Sequence, residues 1–233
     1  MKIVYLGHAS LLIQTGGINI VVDPFITGNP LAQGIIDVDA IPADYILITH
    51  AHQDHILDVE RIAANNPGAV IVSNYEIASY YGSKGFKFHP MNHGGSWNFD
   101  FGRLTYVNAV HTSSFPDGRY GGQPGGFVIE APDGTVYIAG DTALTVDMEI
   151  IPEMTDLDLA VLPIGDNFTM GYESAIIAAD YLEVGLIMGY HFDTFDLIKI
   201  DHAVVKEAFE KAGLELILPS IGDTFELNVS EED

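Results

Sequence analysis

Three histidines and one aspartate fall within the six positions His50-Ala51-His52-Gln53-Asp54-His55, a density that ordinary packing does not accommodate. Each of these side chains carries polar atoms that need partners once buried. The segment must therefore fold around something its members share. Imidazole nitrogen and carboxylate oxygen are good ligands for zinc, manganese or iron. The sequence has no cysteine, which removes thiolate sites, disulfides and iron–sulfur clusters together. A metal held on nitrogen and oxygen is the economical reading.

The spacing adds geometry. Residues 45–49 read as a strand, and side chains alternate along a strand, so His50 and His52 at its end point to one side and can reach one ion. Asp54 and His55 follow on the turn into a helix and face a neighbouring position. That helix is predicted to start near Asp54 or His55 and to run through Ile56, Val59, Ile62 and Ala63, until Asn65-Asn66-Pro67-Gly68 stops it. One loop thus offers two pairs of ligands to two adjacent divalent ions, with zinc or manganese first and iron or nickel also acceptable.

Short apolar runs bounded by Gly, Asp and Pro predict further strands at 3–6, 10–14, 18–22, 69–73, 104–110, 126–130, 136–139, 159–162, 185–188, 215–218 and 224–227. Gly16-Gly17 and Asp133-Gly134 are hairpin turns. Helices are expected at 76–81, 173–182 and 202–212, and residues 230–233 read as a frayed tail. Strands precede helices in each half, which implies an α+β protein of two packed sheets with helices outside. No linker divides residues 1–233, so one domain with two related halves is expected. The break between halves would lie in the Gly-rich loop 113–126, which also suits a mobile lip over a cleft. His93, beside Gly94-Gly95, is a candidate for the cleft rim.

Charge excludes some functions. Nine Lys and Arg stand against 33 Asp and Glu, a net charge of −24, so nucleic acid would be repelled. No apolar stretch approaches the roughly 20 residues of a membrane span. The opening Met1-Lys2-Ile3-Val4-Tyr5-Leu6 lacks the pattern of a secretion signal. The expectation is a cytoplasmic protein that binds neither nucleic acid nor membrane and acts on a small molecule.

The run His50, His52, Asp54, His55 matches the H-x-H-x-D-H signature of the metallo-β-lactamase superfamily, which the chain resembles. The later family landmarks follow in order: Val107-Asn108-Ala109-Val110-His111, then Tyr137-Ile138-Ala139-Gly140-Asp141, then Ile187-Met188-Gly189-Tyr190-His191. The resemblance implies a four-layer αββα sandwich of two mixed sheets. It implies that His50, His52 and His111 hold a first metal, that Asp54, His55 and His191 hold a second, and that Asp141 bridges them. Asp23 would orient the histidine loop by hydrogen bonds. Gly222-Asp223-Thr224 repeats Gly140-Asp141-Thr142, but Asp141 is preferred because it lies between His111 and His191 and ends an apolar strand. Tyr5-Leu6-Gly7-His8-Ala9-Ser10, with Pro163-Ile164-Gly165-Asp166 and Phe168-Thr169-Met170-Gly171, is similar to small metal-dependent hydrolases related to ascorbate-6-phosphate lactonase. That branch makes His8 an extra ligand, a substrate contact or a proton donor, and suggests a homo-oligomer. Where it commonly reads Met-His-Tyr, this chain reads Gly189-Tyr190-His191-Phe192, which rearranges the aromatic lining.

Two bridged ions would hold a water and lower its pKa toward neutrality. The implied activity is hydrolysis by a metal-bridged hydroxide, with Asp54 orienting it and His8 donating a proton to the leaving group. Within the superfamily, the absent signal sequence, the lack of a basic arm and the short length disfavour a periplasmic β-lactamase, a transfer-RNA nuclease and a flavodiiron reductase. A small-molecule ester or lactone hydrolase is favoured. A small-nucleotide phosphodiesterase and a non-catalytic metal-dependent binding or sensing protein are the alternatives.

Overall fold

The computed structural model describes residues 1–227, so the predicted frayed tail at 230–233 lies outside the described residues. Apolar runs too short for helices become two seven-stranded sheets. The strands are β1 (Lys2–Gly7), β2 (Ser10–Thr15), β3 (Ile18–Val22), β4 (Tyr45–Leu47), β5 (Val70–Asn74), β6 (Lys87–Met91) and β7 (Ser96–Phe99), followed by β8 (Gly102–Asn108), β9 (Gly125–Ala131), β10 (Gly134–Ile138), β11 (Leu159–Pro163), β12 (Leu186–Tyr190), β13 (Glu215–Ile217) and β14 (Thr224–Glu226). The first sheet has the order β14-β1-β2-β3-β4-β5-β6 and the second β13-β12-β11-β10-β9-β8-β7.

Each half follows one plan. It opens with antiparallel pairs, β1 to β3 in the first sheet and β7 to β10 in the second, and continues with parallel ones, β3 to β6 and β10 to β13. Gly16 (φ +57°) and Gly17 (φ +82°) turn β2 into β3, the left-handed pair that a two-residue hairpin loop requires. Parallel neighbours need crossovers, and these carry the helices α1 (Gln53–Ile56), α2 (Val59–Asn65), α3 (Tyr75–Ser83), α4 (Tyr172–Tyr181) and α5 (His202–Lys211).

Alternation along the strands sorts side chains into separate cores. Leu11, Ile13, Leu47, Phe127, Val161 and Met188 face the space between the sheets. Ile46, Ile48, Ile62 and Ile77 pack the outer face of the first sheet under its helices. Ala160, Leu162, Ala175, Ala178 and Phe209 do the same for the second. This is the expected four-layer αββα arrangement, and strands buried on both faces explain why the sequence shows continuous apolar runs.

Three expectations need correction. The sheets divide between β6 and β7, near Asn92-His93-Gly94-Gly95, and not in loop 113–126. These two strands are mostly exposed because each is the edge of its sheet, where Pro90 also finds a place. The single helix predicted from Asp54 to Ala63 is broken into α1 and α2 at Leu57-Asp58. The break lets the Asp58 carboxylate accept from the backbone N–H groups of Ile26 and Thr27 and from Thr27 Oγ1. Loop 113–126 is tethered, not a lip. Phe115 is buried, Asn74 Nδ2 donates to the Gly121 and Gln123 carbonyls, and Ser113 Oγ donates to the Gly121 carbonyl and accepts from Ala51 N.

Candidate metal centre

Every residue of the centre lies just beyond a strand end, in the turn between two strands or, for Asp54 and His55, at the start of helix α1. His8 sits between β1 and β2, Asp23 directly after β3, and the segment from His50 to His55 after β4, while His111 follows β8, Asp141 follows β10 and His191 follows β12. Ending a strand frees a side chain from the ladder while the strand fixes its base. Seven non-glycine residues among those described have positive φ, and His8 (+57°), Asp23 (+42°) and His191 (+56°) are three of them. Such backbone costs of order 1–3 kcal/mol each and persists where surroundings over-determine it. Here the Asp23 carboxylate accepts from Thr49 N at 2.8 Å, and His191 N donates to the His8 carbonyl at 2.8 Å.

Three groups of donor atoms result; Asp23, His50 and His55 cluster behind the centre, and the other two face Asp141. His50, His52 and His111 form one, and His8, Asp54, His55 and His191 the other, with one ligand-type atom from each member of a group within 4.8 Å of the rest. Asp141 stands between them. Its Oδ2 is 3.5 Å from His111 Nε2, 3.9 Å from His50 Nε2 and 3.1 Å from His191 Nε2, and its Oδ1 is 3.3 Å from His55 Nε2. Asp54 Oδ2 lies 3.9 Å from both His55 Nε2 and His191 Nε2. Asp223, the competing aspartate, instead closes a turn by accepting from Ser220 N.

Behind the donors stands a buried carboxylate. Asp23 Oδ2 accepts from Thr49 Oγ1 at 2.6 Å and lies 2.9 Å from His55 Nδ1, which leaves His55 Nε2 aimed at the centre. His8 Nδ1 lies 3.0 Å from Thr194 Oγ1, and His8 Nε2 lies 3.0 Å from Asp54 Oδ2. Tyr106 Oη donates to the Thr49 carbonyl and so ties the first sheet's loop to the second sheet.

The donor set fits divalent ions on two grounds. His55 Nε2, His191 Nε2 and Asp141 Oδ1 are buried without hydrogen-bond partners, although such groups are costly when left unmatched. The electrostatics favour ligand-competent forms at His50, His52, His111, His8 and Asp141, and the protonated form at His55. Burial, reinforced by His55, holds the His50 imidazole well below its usual pKa, and burial lowers His52 and His111 as well. Burial and the neighbouring His191 bring His8 down to about 4 against the pull of Asp54. Burial would raise the carboxyl pKa of Asp141, but His191 and His55 hold it well below the usual range. For His55 the burial effect is overcome by Asp141 and Asp23, which raise it. Neutral imidazoles and ionised carboxylates are the forms that bind metal.

The groups open into a cleft of about 760 Å³ whose lining includes His52, Asp54, His111, Asp141 and His191. The seven residues predicted from sequence as metal ligands, together with His8, therefore lie together around one centre. His93 does not line the cleft; its Nε2 lies 2.9 Å from the Pro124 carbonyl and its ring stacks on Tyr106. Tyr190 and Phe192, the altered neighbours of His191, are buried in separate cores and leave the cleft wall untouched. Sequence reasoning missed Thr194, Phe195 and Leu197. Their signal was the aperiodic stretch Phe192-Asp193-Thr194-Phe195-Asp196-Leu197, which exposes large apolar groups immediately after a ligand-type histidine.

Comparison with known proteins agrees with this geometry. A β-lactamase superfamily domain model matches residues 2–191. A UPF0173 metal-dependent hydrolase of Flavobacterium johnsoniae is 63% identical over 97% of this chain and 100% of its own. One from Thermus thermophilus is 46% identical over 92% of this chain and 94% of its own. The solved structure of Igni18, a metallo hydrolase from Ignicoccus hospitalis, superposes with a TM-score of 0.87 at 33% identity, covering 96% of this chain and 97% of that one. An isothiocyanate hydrolase from Delia radicum gut bacteria, at 20% identity and a TM-score of 0.79, shares the fold over 98% of this chain and 99% of its own. With the signature loop, the four layers and these relatives in agreement, the chain belongs to the UPF0173 metal-dependent hydrolases of the metallo-β-lactamase superfamily.

Proposed function

We propose that the chain hydrolyses a small-molecule ester or lactone at a two-ion centre. In this reading His50, His52 and His111 would hold one ion, Asp54, His55 and His191 would hold the other, and Asp141 stands between the two groups. The observation that carries this reading is the set of buried atoms His55 Nε2, His191 Nε2 and Asp141 Oδ1, which crowd together at 3.1–3.3 Å around Asp141 without well-formed hydrogen bonds and converge beneath an open cleft. Divalent ions in such a place supply an acidified water and a Lewis acid for the substrate carbonyl.

The chain's own residues do the rest. Asp23 fixes His55 through Nδ1, as partners behind metal-binding histidines commonly do. Asp54 lines the cleft with 28% of its side chain exposed, which places its carboxylate to accept a hydrogen bond from the attacking water and orient it. The ionised Asp54 carboxylate can only accept, so His8 Nε2–H donates to Asp54 Oδ2 at 3.0 Å while His8 Nδ1 accepts from Thr194 Oγ1 at 3.0 Å. His8 thus braces the Asp54 carboxylate from behind and carries a proton against it. The choice of carbonyl chemistry rests on the similarity of the Tyr5-to-Ser10 and Pro163-to-Gly171 segments to ascorbate-6-phosphate lactonase.

A panel of lactones, carboxylic esters and bis-nitrophenyl phosphate, assayed with manganese, zinc, nickel and iron, tests the proposal. Turnover of an ester or lactone that chelation abolishes and added metal restores is expected. Turnover of the phosphodiester alone would sink it in favour of a phosphodiesterase. Stoichiometric bound metal with silence across the panel would sink it in favour of a sensor.

A further inference from the structure

The walls of the cleft differ from its floor. Phe25, Leu57, Phe168, Phe195 and Leu197 line it, and four of these are exposed despite their size, with Leu197 at 66% and Phe168 at 49%. The wall is continuous on the side of the second donor group. The rings of Phe25 and Phe195 meet the His8 ring edge-on at 5.4 and 5.3 Å. Gly28 closes the seam, since a Cβ there would lie 2.3 Å from Phe25 and 2.6 Å from Leu57. Apolar surface left open to water beside a polar centre marks a binding surface.

What the wall omits is as informative. Among the described residues, none of the nine lysines and arginines of the chain lines the cleft. Lys199, the cation nearest the wall in sequence, is paired with Asp196 at 2.7 Å. A carboxylate or phosphate on the substrate, away from the reacting bond, would thus meet no cationic partner there and would approach through the field of a chain with net charge −24.

Resting on the hydrolase reading above, we infer that the substrate is uncharged away from its scissile carbonyl and presents an aryl or aliphatic group to the wall formed by Phe25, Leu57, Phe168, Phe195 and Leu197. A phosphorylated sugar lactone does not fit this wall.

Isothermal titration of the metal-loaded full chain tests the wall assignment without needing turnover. The probes are 3-phenylpropanohydroxamate and succinomonohydroxamate, which share a metal-binding head and differ in an apolar or an anionic tail. The aryl tail should bind roughly tenfold or more tightly, as expected for burial of a ring. Leu197→Lys, at a mostly exposed position, should bring the pair to near parity by tightening the anionic probe. Equal or tighter binding of the anionic probe by the unaltered chain, or no binding of the aryl one, overturns the inference. Turnover is read in parallel on a phenyl-bearing ester and its phosphorylated counterpart. A binding preference for the aryl tail with no hydrolysis of either ester would leave the wall assignment standing and defeat the hydrolase reading. Hydrolysis that favours the phosphorylated ester would do the reverse.

Discussion

The first sheet delivers His50, His52, Asp54 and His55 from one loop after β4, whereas the second delivers His111, Asp141 and His191 singly, after β8, β10 and β12. The supports differ accordingly. The loop of the first sheet is oriented by one buried carboxylate, Asp23, acting on Thr49 and His55. The donors of the second sheet are held by backbone ties spread over many residues, such as Val110 N donating to Thr142 Oγ1, Met170 N to the Thr142 carbonyl and His191 N to the His8 carbonyl. A concentrated set of donors can be disturbed by one substitution behind it. A dispersed set is fixed by strand register and yields only when a donor itself is changed.

Four measurements can break or sharpen that contrast. Asp141→Asn should have the largest effect, because this residue stands between both groups: turnover of the best panel substrate should fall roughly a thousandfold, and elemental analysis should show less than full metal occupancy. Full occupancy with unchanged turnover would remove Asp141 from the centre. Asp23→Asn comes next, with metal affinity down about tenfold to a hundredfold, measured by competition with a chelating dye. An affinity equal to the parent's would mean that the loop does not depend on its carboxylate. Thr194→Val should weaken metal binding more modestly, by a factor of about ten at most, since it frees only the Nδ1 side of His8. A shift in KM without any change in metal content would instead assign His8 to substrate. Ser113→Ala is the mildest: it deletes the hydroxyl shared by Ala51 N and the Gly121 carbonyl, so stability should drop by about 1 kcal/mol. In a domain of this length that is a fall in Tm of about 2–4 °C, visible by calorimetry, and no fall would show that loop 113–126 is held by other means.

Legibility followed the same division. The histidine loop was visible because four ligand-type residues sit within six positions. His111, Asp141 and His191 were found because each follows an apolar strand closely enough for the landmark order to be read along the chain. The helix break at Leu57-Asp58 was hidden, since Val59, Ile62 and Ala63 continue the helical period while the reason for the break lies with Ile26 and Thr27, distant in sequence. Strands β6 and β7 were not predicted: edge strands need no second apolar face, and Pro90 interrupts the short run Lys87-Phe88-His89-Pro90-Met91. Loop 113–126 looked mobile from its glycines, but its tethers come from Asn74 and Ala51, which composition does not reveal.

By itself the sequence determined the chemistry available to this protein: thiol-free nitrogen and oxygen donors, an acidic chain, and apolar runs of a length that only strands can use. Tertiary structure alone decided that His8 joins the second donor group, that Thr194 stands against His8, and that the wall above them is apolar and free of cations. The physical reason is one of range. Residue type and local spacing are written along the chain, whereas a hydrogen bond between His8 and Thr194 or a cleft shared by Phe25 and Phe195 exists only once distant strand ends are brought together by the burial of two sheets against each other.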